Sequence, residues 1–156
     1  MTLCIKVMSR YVSLPLSVHP LSVLSRAPAR DVIALADDVL RRLSDVRVIR
    51  NRTGIVMLPY RDSAKGVTFH LGEALMAEAQ VQVALPSGRE VEGYGACLGR
   101  DVRHALAMAV LDAALRGGIE VERIEAFIAA QAAALDAQDA ALMAKVESTR
   151  VAMETF

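Results

Sequence analysis

The chain has 156 residues, a length suited to one domain, because domains most often contain about 100–150 residues. Its 18 basic and 18 acidic side chains give a formal net charge of zero, which argues against a nucleic-acid-binding protein because such proteins present a net basic face. An apolar fraction of 54% excludes disorder over most of the chain, and with 4% aromatic residues the excess is aliphatic. This composition fits a subunit that buries surface against a partner, and it fits equally a small Ala-rich helical core.

The cysteines do not indicate a disulfide framework or a metal site. Cys4 and Cys97 belong to no CxxC pair and have no histidine at metal-ligand spacing. No uncharged apolar run reaches the ~18 residues that a membrane helix requires, so we expect no membrane partner.

The N-terminal 25 residues show no sustained hydrophobic period, and Pro15 and Pro20 interrupt any helix there. Two basic residues followed by an uncharged stretch resemble a secretory signal. The prolines within that stretch, and Arg26 beside the cleavage-like site, argue against export. We therefore predict an N-terminal extension over residues 1–20 and a single domain over residues 21–156.

The first clear helix begins at Pro28. Proline suits the first turn of a helix because its missing N–H would have no partner there. Apolar side chains then recur with the spacing i, i+3, i+4, i+7, which places them on one stripe: Val32, Leu35, Ala36, Val39, Leu40 and Leu43. Ser44-Asp45 follows the stripe, so the sequence predicts an amphipathic helix over residues 28–43.

Short β-type runs come next. Alternating or mostly apolar segments predict strands at residues 46–49, 53–60, 67–71, 74–85 and 89–98, with a charged connection at 61–66. Pro86-Ser87-Gly88 separates two alternating segments and predicts a β-hairpin turn.

Two helices are predicted at the C-terminal end. One runs from Asp101 to Arg116, presents one apolar stripe, and is ended by Gly117-Gly118, since glycine suits a left-handed cap. The other is Ala-rich and covers residues 120–150. The chain is therefore predicted to be an α+β domain, with a mainly antiparallel sheet of about four or five strands, an N-terminal helix and two C-terminal helices.

Gly99-Arg100-Asp101-Val102-Arg103-His104 is the most suggestive motif, because it lies where a strand is followed by a helix. The unpaired N–H groups of a helix N-terminus attract anions, the arginines add donors for phosphate or phosphonate oxygens, and His104 would titrate near neutral pH. A structural interpretation explains the same residues, because Asp101 is a good N-cap and Gly99 eases the turn. Gly99, Arg100, Asp101, Arg103 and His104 are thus a candidate anion-binding or subunit-interface site.

Phe69-His70-Leu71-Gly72-Glu73 is a second constellation. Gly72 between two β-type runs indicates a bulge or the close approach of another backbone, and His70 with Glu73 is a candidate acid–base pair. A turn glycine with polar surface neighbours explains them as well. Gly93-Tyr94-Gly95 lacks the basic residue and following helix of a phosphate-binding loop, so we interpret Gly93 as a tightly packed strand glycine. Phe69, Gly72, Glu73 and Gly93 are structural candidates, and no catalytic residue is assigned.

The motifs also occur in a recognisable order. Leu24–Ala29 and Thr53-Gly54-Ile55-Val56 precede Phe69–Glu73, and a glycine strand followed by Gly-Arg-Asp-x-x-His-Ala occupies residues 93–105. The series ends at Ser148-Thr149-Arg150-Val151 and covers about residues 21–153. Together these motifs resemble the PhnG family of phosphonate metabolism proteins, the G subunit of the carbon–phosphorus lyase system.

The resemblance implies a cytoplasmic core complex in which the G subunit works with the I, H and J subunits, while an ATPase-like L subunit assists the first step. In that step an alkylphosphonate replaces the adenine of ATP, which gives a ribose 1-phosphonate 5-triphosphate. The I subunit is the usual catalytic candidate, so the resemblance implies an accessory role for this chain. The later radical step belongs to the iron–sulfur J subunit, and no cofactor is expected in this chain because it lacks the cysteine ligands of such a cluster.

The chain departs from the family pattern at two places. Ala77-Glu78-Ala79 stands where the family carries a Thr-Arg-Cys-like segment, so a positive position becomes Glu78, and residues 150–156 lack the family's Asp-Phe-Phe-Thr ending. Two alternatives therefore stay open. One is a homo-oligomeric binding module that has lost the complex role, and the other is an independent enzyme with His104 or His70 as its acid–base group.

Overall fold

The computed structural model describes residues 19–150. In chain order the elements are α1 (Pro20–Arg26), α2 (Ala29–Leu40), β1 (Asp45–Arg61), β2 (Thr68–Ala84), β3 (Glu90–Leu98), α3 (Val102–Gly117) and α4 (Val121–Ser148). The α+β class is confirmed, with helices before an antiparallel sheet and two helices after it. Most of the predicted extension and the divergent C-terminal ending lie outside the described residues.

The sheet of the described residues contains three strands in the order β1-β2-β3, fewer than the four or five predicted. The predicted strands at 46–49 and 53–60 both belong to β1, and those at 67–71 and 74–85 both belong to β2. One extra residue in β1 lies between Val48 and Arg50, and one extra residue in β2 lies between His70 and Glu73. A bulge absorbs an extra residue without ending the pairing, so these breaks in the pattern did not mark strand ends.

Helix α1 is a second difference, because the sequence predicted that Pro20 would interrupt any helix. That prediction was wrong: Pro20 lies in the first turn of α1, where its missing N–H costs no hydrogen bond. Val23 and Leu24 are buried, and α1 packs against α3 and α4. Tertiary packing thus stabilises a 7-residue helix that is too short to be stable by itself.

Helix α3 is the centre of the core. The sequence predicted one apolar stripe on it, but α3 is buried nearly all round between His104 and Ala114. It lies on the inner face of the sheet, formed by Ala77, Ala79, Val81 and Val83 of β2, and it also packs against α1 and α2. A helix that is apolar all round packs on more than one side. Its predicted C-terminal cap is confirmed, since Gly118 has a left-handed φ of 75°.

Strand β3 comes very close to α3 at two glycines. A Cβ atom at Gly93 would lie 2.6 Å from the amide nitrogen of Ala113, and one at Gly95 would lie 2.6 Å from the Cβ of Met108. Both distances are well inside van der Waals contact. Only glycine at these positions therefore permits the observed distance between helix and strand.

Strands β1 and β2 continue beyond the body of the protein as a two-stranded arm. β3 pairs with β2 only from Met76 to Ala84, so residues 55–61 and 68–75 pair with each other and with no third strand. We call residues 55–75, including the turn between the strands, the arm. Because a strand rises about 3.3 Å per residue, the arm extends roughly 20–25 Å from the body.

Helix α4 also extends past the body, and its prediction as a long helix is confirmed. Its first half contributes Ile124 and Ile128 to the core, whereas the residues after Leu135 are exposed. Arg26 of α1 donates to both carboxylate oxygens of Asp139, at 2.9 and 3.0 Å. Within residues 19–150, no helix is both long enough and apolar enough to cross a membrane.

We expect Gly95→Ala to lower the free energy of unfolding by about 1–3 kcal/mol or more, because the added methyl group must push β3 and α3 apart. Gly54→Ala is the matched control, since Gly54 is also a strand residue and a Cβ there would meet no atom within 4 Å. Urea-induced unfolding of the full chain, followed by circular dichroism, measures both. Equal effects of the two substitutions would contradict the prediction.

Candidate functional site

The Gly99–His104 motif lies at the base of the arm. β3 ends at Leu98, and the N–H of Gly99 then donates to the carbonyl oxygen of Leu75, the last arm residue, at 2.8 Å. Gly99 has a φ of 98°, a conformation that favours glycine, and it turns the chain from β3 into α3. The motif and the arm are therefore neighbours, which the sequence alone did not indicate.

Asp101 caps the N-terminus of α3. Its Oδ1 accepts hydrogen bonds from the N–H groups of Arg103 at 3.1 Å and His104 at 2.9 Å. Free N–H groups of this kind are what an uncapped helix N-terminus offers to an anion. The carboxylate satisfies them within the chain, and its negative charge disfavours an anionic ligand at this helix end.

The remaining side chains of the motif divide into two groups. Arg100 and Arg103 are exposed. His104 is only 6% exposed, and its Nε2 donates to the carbonyl oxygen of Leu24 at 2.9 Å, which joins α3 to α1. The motif therefore exposes two cationic side chains and the capping carboxylate of Asp101, and it keeps its imidazole in the core.

The Phe69–Glu73 segment lies on the arm itself. Phe69 contacts Tyr60 across the strand pair, with ring centroids 5.4 Å apart and ring planes at 64°. Gly72 has a φ of 153° and lies in the bulge of β2. A Cβ there would meet no atom within 4 Å. Gly72 therefore permits the backbone conformation of the bulge, and it does not make room for another backbone.

His70 and Glu73, the candidate acid–base pair, flank this bulge. The strand register places His70 opposite Pro59 and Glu73 opposite Met57. Both side chains are exposed. They lie on the arm, whereas His104 lies in the core, so the structure does not gather these groups into one cavity.

A buried carboxylate on α3, Asp112, was not predicted from the sequence. It is 1% exposed, and its Oδ2 accepts hydrogen bonds from the main-chain N–H of Tyr94 and from Nε of Arg116, both at 2.9 Å. β3 is an edge strand, and main-chain groups on an edge need partners outside the sheet. The available signal was one acidic residue within an otherwise apolar stretch, four positions before an arginine.

The outer face of the sheet carries a charged cluster around Glu78. Its Oε1 accepts a hydrogen bond from Nε of Arg52 at 2.7 Å, with Nη1 of Arg50 at 3.5 Å, and its Oε2 accepts one from the hydroxyl of Tyr94 at 3.4 Å. The hydrogen bond from Arg52 is the main cause that lowers the pKa of Glu78, while burial is the main cause that raises the pKa of Tyr94. The acid in Ala77-Glu78-Ala79 thus has cationic partners on β1.

Neither a metal cluster nor an activated thiol is found among residues 19–150. No three His, Cys, Asp or Glu side chains there lie close enough to hold a metal ion. Cys97 is buried, and this burial is the main cause that raises the pKa of its thiol. A protonated thiol is a poor nucleophile. What the site does present is exposed arginines beside exposed apolar surface.

We expect Asp112→Ala to lower the free energy of unfolding by about 1–3 kcal/mol, because it leaves the N–H of Tyr94 without its acceptor. Asp112→Asn keeps an acceptor oxygen and should lower the free energy of unfolding by less than Asp112→Ala does. Asp37→Ala, at an exposed position of α2, is the control and should have little effect. Chemical denaturation of the three variants measures this order, and an Asp112→Ala variant as stable as the control would contradict it.

Comparisons with known proteins place the chain in a family. Residues 18–156 match the family model described as phosphonate metabolism protein PhnG. The chain is 33% identical over 120 residues to the alpha-D-ribose 1-methylphosphonate 5-triphosphate synthase subunit PhnG of Rhizobium meliloti (strain 1021), a match that covers 76% of this chain and 74% of that protein. It is 33% identical over 108 residues to a Stutzerimonas stutzeri protein with the provisional name C-P lyase subunit protein HtxH, which covers 64% of this chain but 29% of that longer protein. The chain therefore belongs to the PhnG family of phosphonate metabolism proteins.

Proposed function

We propose that this protein is an accessory subunit of the carbon–phosphorus lyase complex in organic phosphonate degradation. The observation that carries the proposal is the family match, which extends over residues 18–156. Both relatives are named as subunits. The surface of the described residues supports the same role, because many large apolar side chains of the arm are exposed.

In this proposal the chain supports the transfer of an alkylphosphonate to the ribose triphosphate of ATP, with displacement of adenine. The I subunit carries the catalytic groups, the H and J subunits complete a cytoplasmic core, and the L subunit assists the first step. The iron–sulfur chemistry belongs to the J subunit. This chain contributes surface and positioning, and its buried histidine and capping aspartate already have partners within the chain.

We expect the full chain to be recovered in stoichiometric amounts with the I, H and J subunits of the same organism, and to be poorly soluble alone, because its exposed apolar surface then lacks cover. A tagged pull-down after co-expression, beside expression of the chain alone, measures both. Failure to bind any partner together with a monodisperse lone oligomer would contradict the proposal and favour the binding module. Turnover by the lone chain that His104→Ala abolishes would favour an independent enzyme.

We further propose that Gly99–His104 forms part of a subunit boundary. Asp101 occupies the N-terminus of α3, which makes an anion site there unfavourable. Arg100 and Arg103 are exposed at the same place, and arginine is well suited to ion pairs at interfaces. In this role Gly99 turns the chain, His104 anchors α3 to α1, and the two arginines pair with carboxylates of the neighbouring chain.

We expect Arg100→Ala to lower the yield of complex and phosphonate-dependent growth several-fold, with no change in thermal unfolding, because the side chain is exposed. Arg89→Ala is the matched control, since Arg89 is an exposed arginine at the opposite end of β3. Normal yield and normal growth for Arg100→Ala would overturn the boundary assignment. Normal yield with impaired growth would point to a contact with an anionic ligand.

A further inference from the structure

The arm exposes apolar side chains on both of its faces. The strand register and alternation place Ile55 and Met57 on one face and Val56, Leu58 and Tyr60 on the other. These side chains are 41–67% exposed. An antiparallel ribbon beside water normally has one apolar face and one polar face, so neither face of this arm is suited to permanent contact with water.

The exposed apolar surface of the arm is large enough for a stable interface. Eight large apolar side chains of the arm are exposed: Ile55, Val56, Met57, Leu58, Tyr60, Val67, Phe69 and Leu71. If each leaves about half of a side chain of ~150–200 Å² uncovered, they expose roughly 600–800 Å². One partner contributes about 800 Å² to a standard interface, and the largest apolar patch of a typical monomer is ~300–600 Å².

Charged side chains are concentrated at the two ends of the arm. Arg61, Asp62 and Lys65 lie in and beside the turn, where Asp62 accepts hydrogen bonds from the N–H groups of Ala64 and Lys65. At the base, Arg100 and Arg103 are exposed. A partner would therefore meet apolar surface along most of the arm and, where the arm leaves the body, two exposed arginines together with the exposed acids Glu73 and Asp101.

We propose that the arm inserts into an apolar cleft of a different polypeptide, which covers both faces of the arm and carries carboxylates at the entrance of the cleft, opposite Arg100 and Arg103. The inference rests on the function proposed above, because it takes the occupant to be a partner subunit of the complex. Two-sided cover explains why both faces are apolar. The free edge of β1 also offers main-chain groups to a strand of the partner.

Charge disfavours a second copy of this chain as the occupant. β1 is an edge strand and carries Arg47, Arg50, Arg52 and Arg61 against one acidic residue, Asp45. Twofold antiparallel pairing of β1 with its own copy along residues 47–52 would place Arg47, Arg50 and Arg52 near those of the copy, with Glu78 as the acidic neighbour of Arg50 and Arg52 in each. Like charges across a strand pair are destabilising. In the Stutzerimonas stutzeri relative the matched segment covers 29% of the protein, so a similar segment is there continuous with further polypeptide.

The test is a double substitution with one added charge on each face of the arm, Ile55→Glu with Leu58→Glu. The matched control is Leu142→Glu with Met143→Glu, because these side chains of α4 are 60% and 64% exposed, against 67% for Ile55 and 41% for Leu58. Each full-length variant is co-expressed with the I, H and J subunits, and the recovered partner is quantified. We expect at least a tenfold loss of partner for the arm variant and less than a twofold change for the control, with thermal unfolding unchanged in both.

The outcomes separate this inference from the proposed function. Full recovery of partner by the arm variant would overturn the arm assignment and leave the proposed function standing. Equal losses of partner in both variants would also overturn the arm assignment, since added charge at any exposed site would then be enough to reduce binding. If light scattering shows that the lone wild-type chain is a dimer and the arm variant a monomer, the occupant is a second copy and the proposal fails. Absence of any partner with the wild-type chain would instead overturn the proposed function.

Discussion

The contact between α3 and β3 is the constraint on which the rest of the structure depends. Glycines at positions 93 and 95 bring the strand against the helix backbone, and Asp112 of α3 accepts the main-chain N–H of Tyr94. The contact fixes α3 across the inner face of the sheet. The other sides of α3 pack against α1, α2 and the start of α4. Alanines on α3 keep the distances between α3 and these helices short, because close packing tolerates little extra volume.

The limited length of this core explains why two elements extend beyond it. α3 has 16 residues and spans about 24 Å at 1.5 Å per residue, and the buried residues of β2 begin only at Ala77. β1 and β2 each continue for 17 residues, so their distal parts pass beyond the cover of the helix. Helix α4 likewise continues past the residues through which it contacts the core. A chain built this way has a complete core and still exposes a large apolar surface, which suits a member of an assembly.

The electrostatics of the Gly99–His104 segment follow from the same geometry. The turn out of β3 places Asp101 where its carboxylate satisfies the first N–H groups of α3, and α1 supplies the carbonyl that holds His104. The arginines and Asp101 are left exposed, and only the arginines lack a hydrogen-bonding role in capping α3. β3 ends where the arm leaves the body, so the arginines that follow it lie close to the apolar arm. A single partner can therefore contact the arginines and the arm together.

The sequence by itself determined the α+β class, the ends of α3 and the β2–β3 hairpin, because caps, turns and periodicity are local properties of the chain. It also indicated the family through the order of its motifs. Only the tertiary structure decided that five strand-like segments form three strands, that Pro20 begins a helix, and that Asp112 is a buried acceptor. Each of these depends on a partner distant in the chain: a paired strand that continues through a bulge, a core that covers a short helix, or an edge strand that needs an acceptor. For the same reason the arm was invisible in the sequence, since an apolar strand has the same pattern whether or not another element covers it.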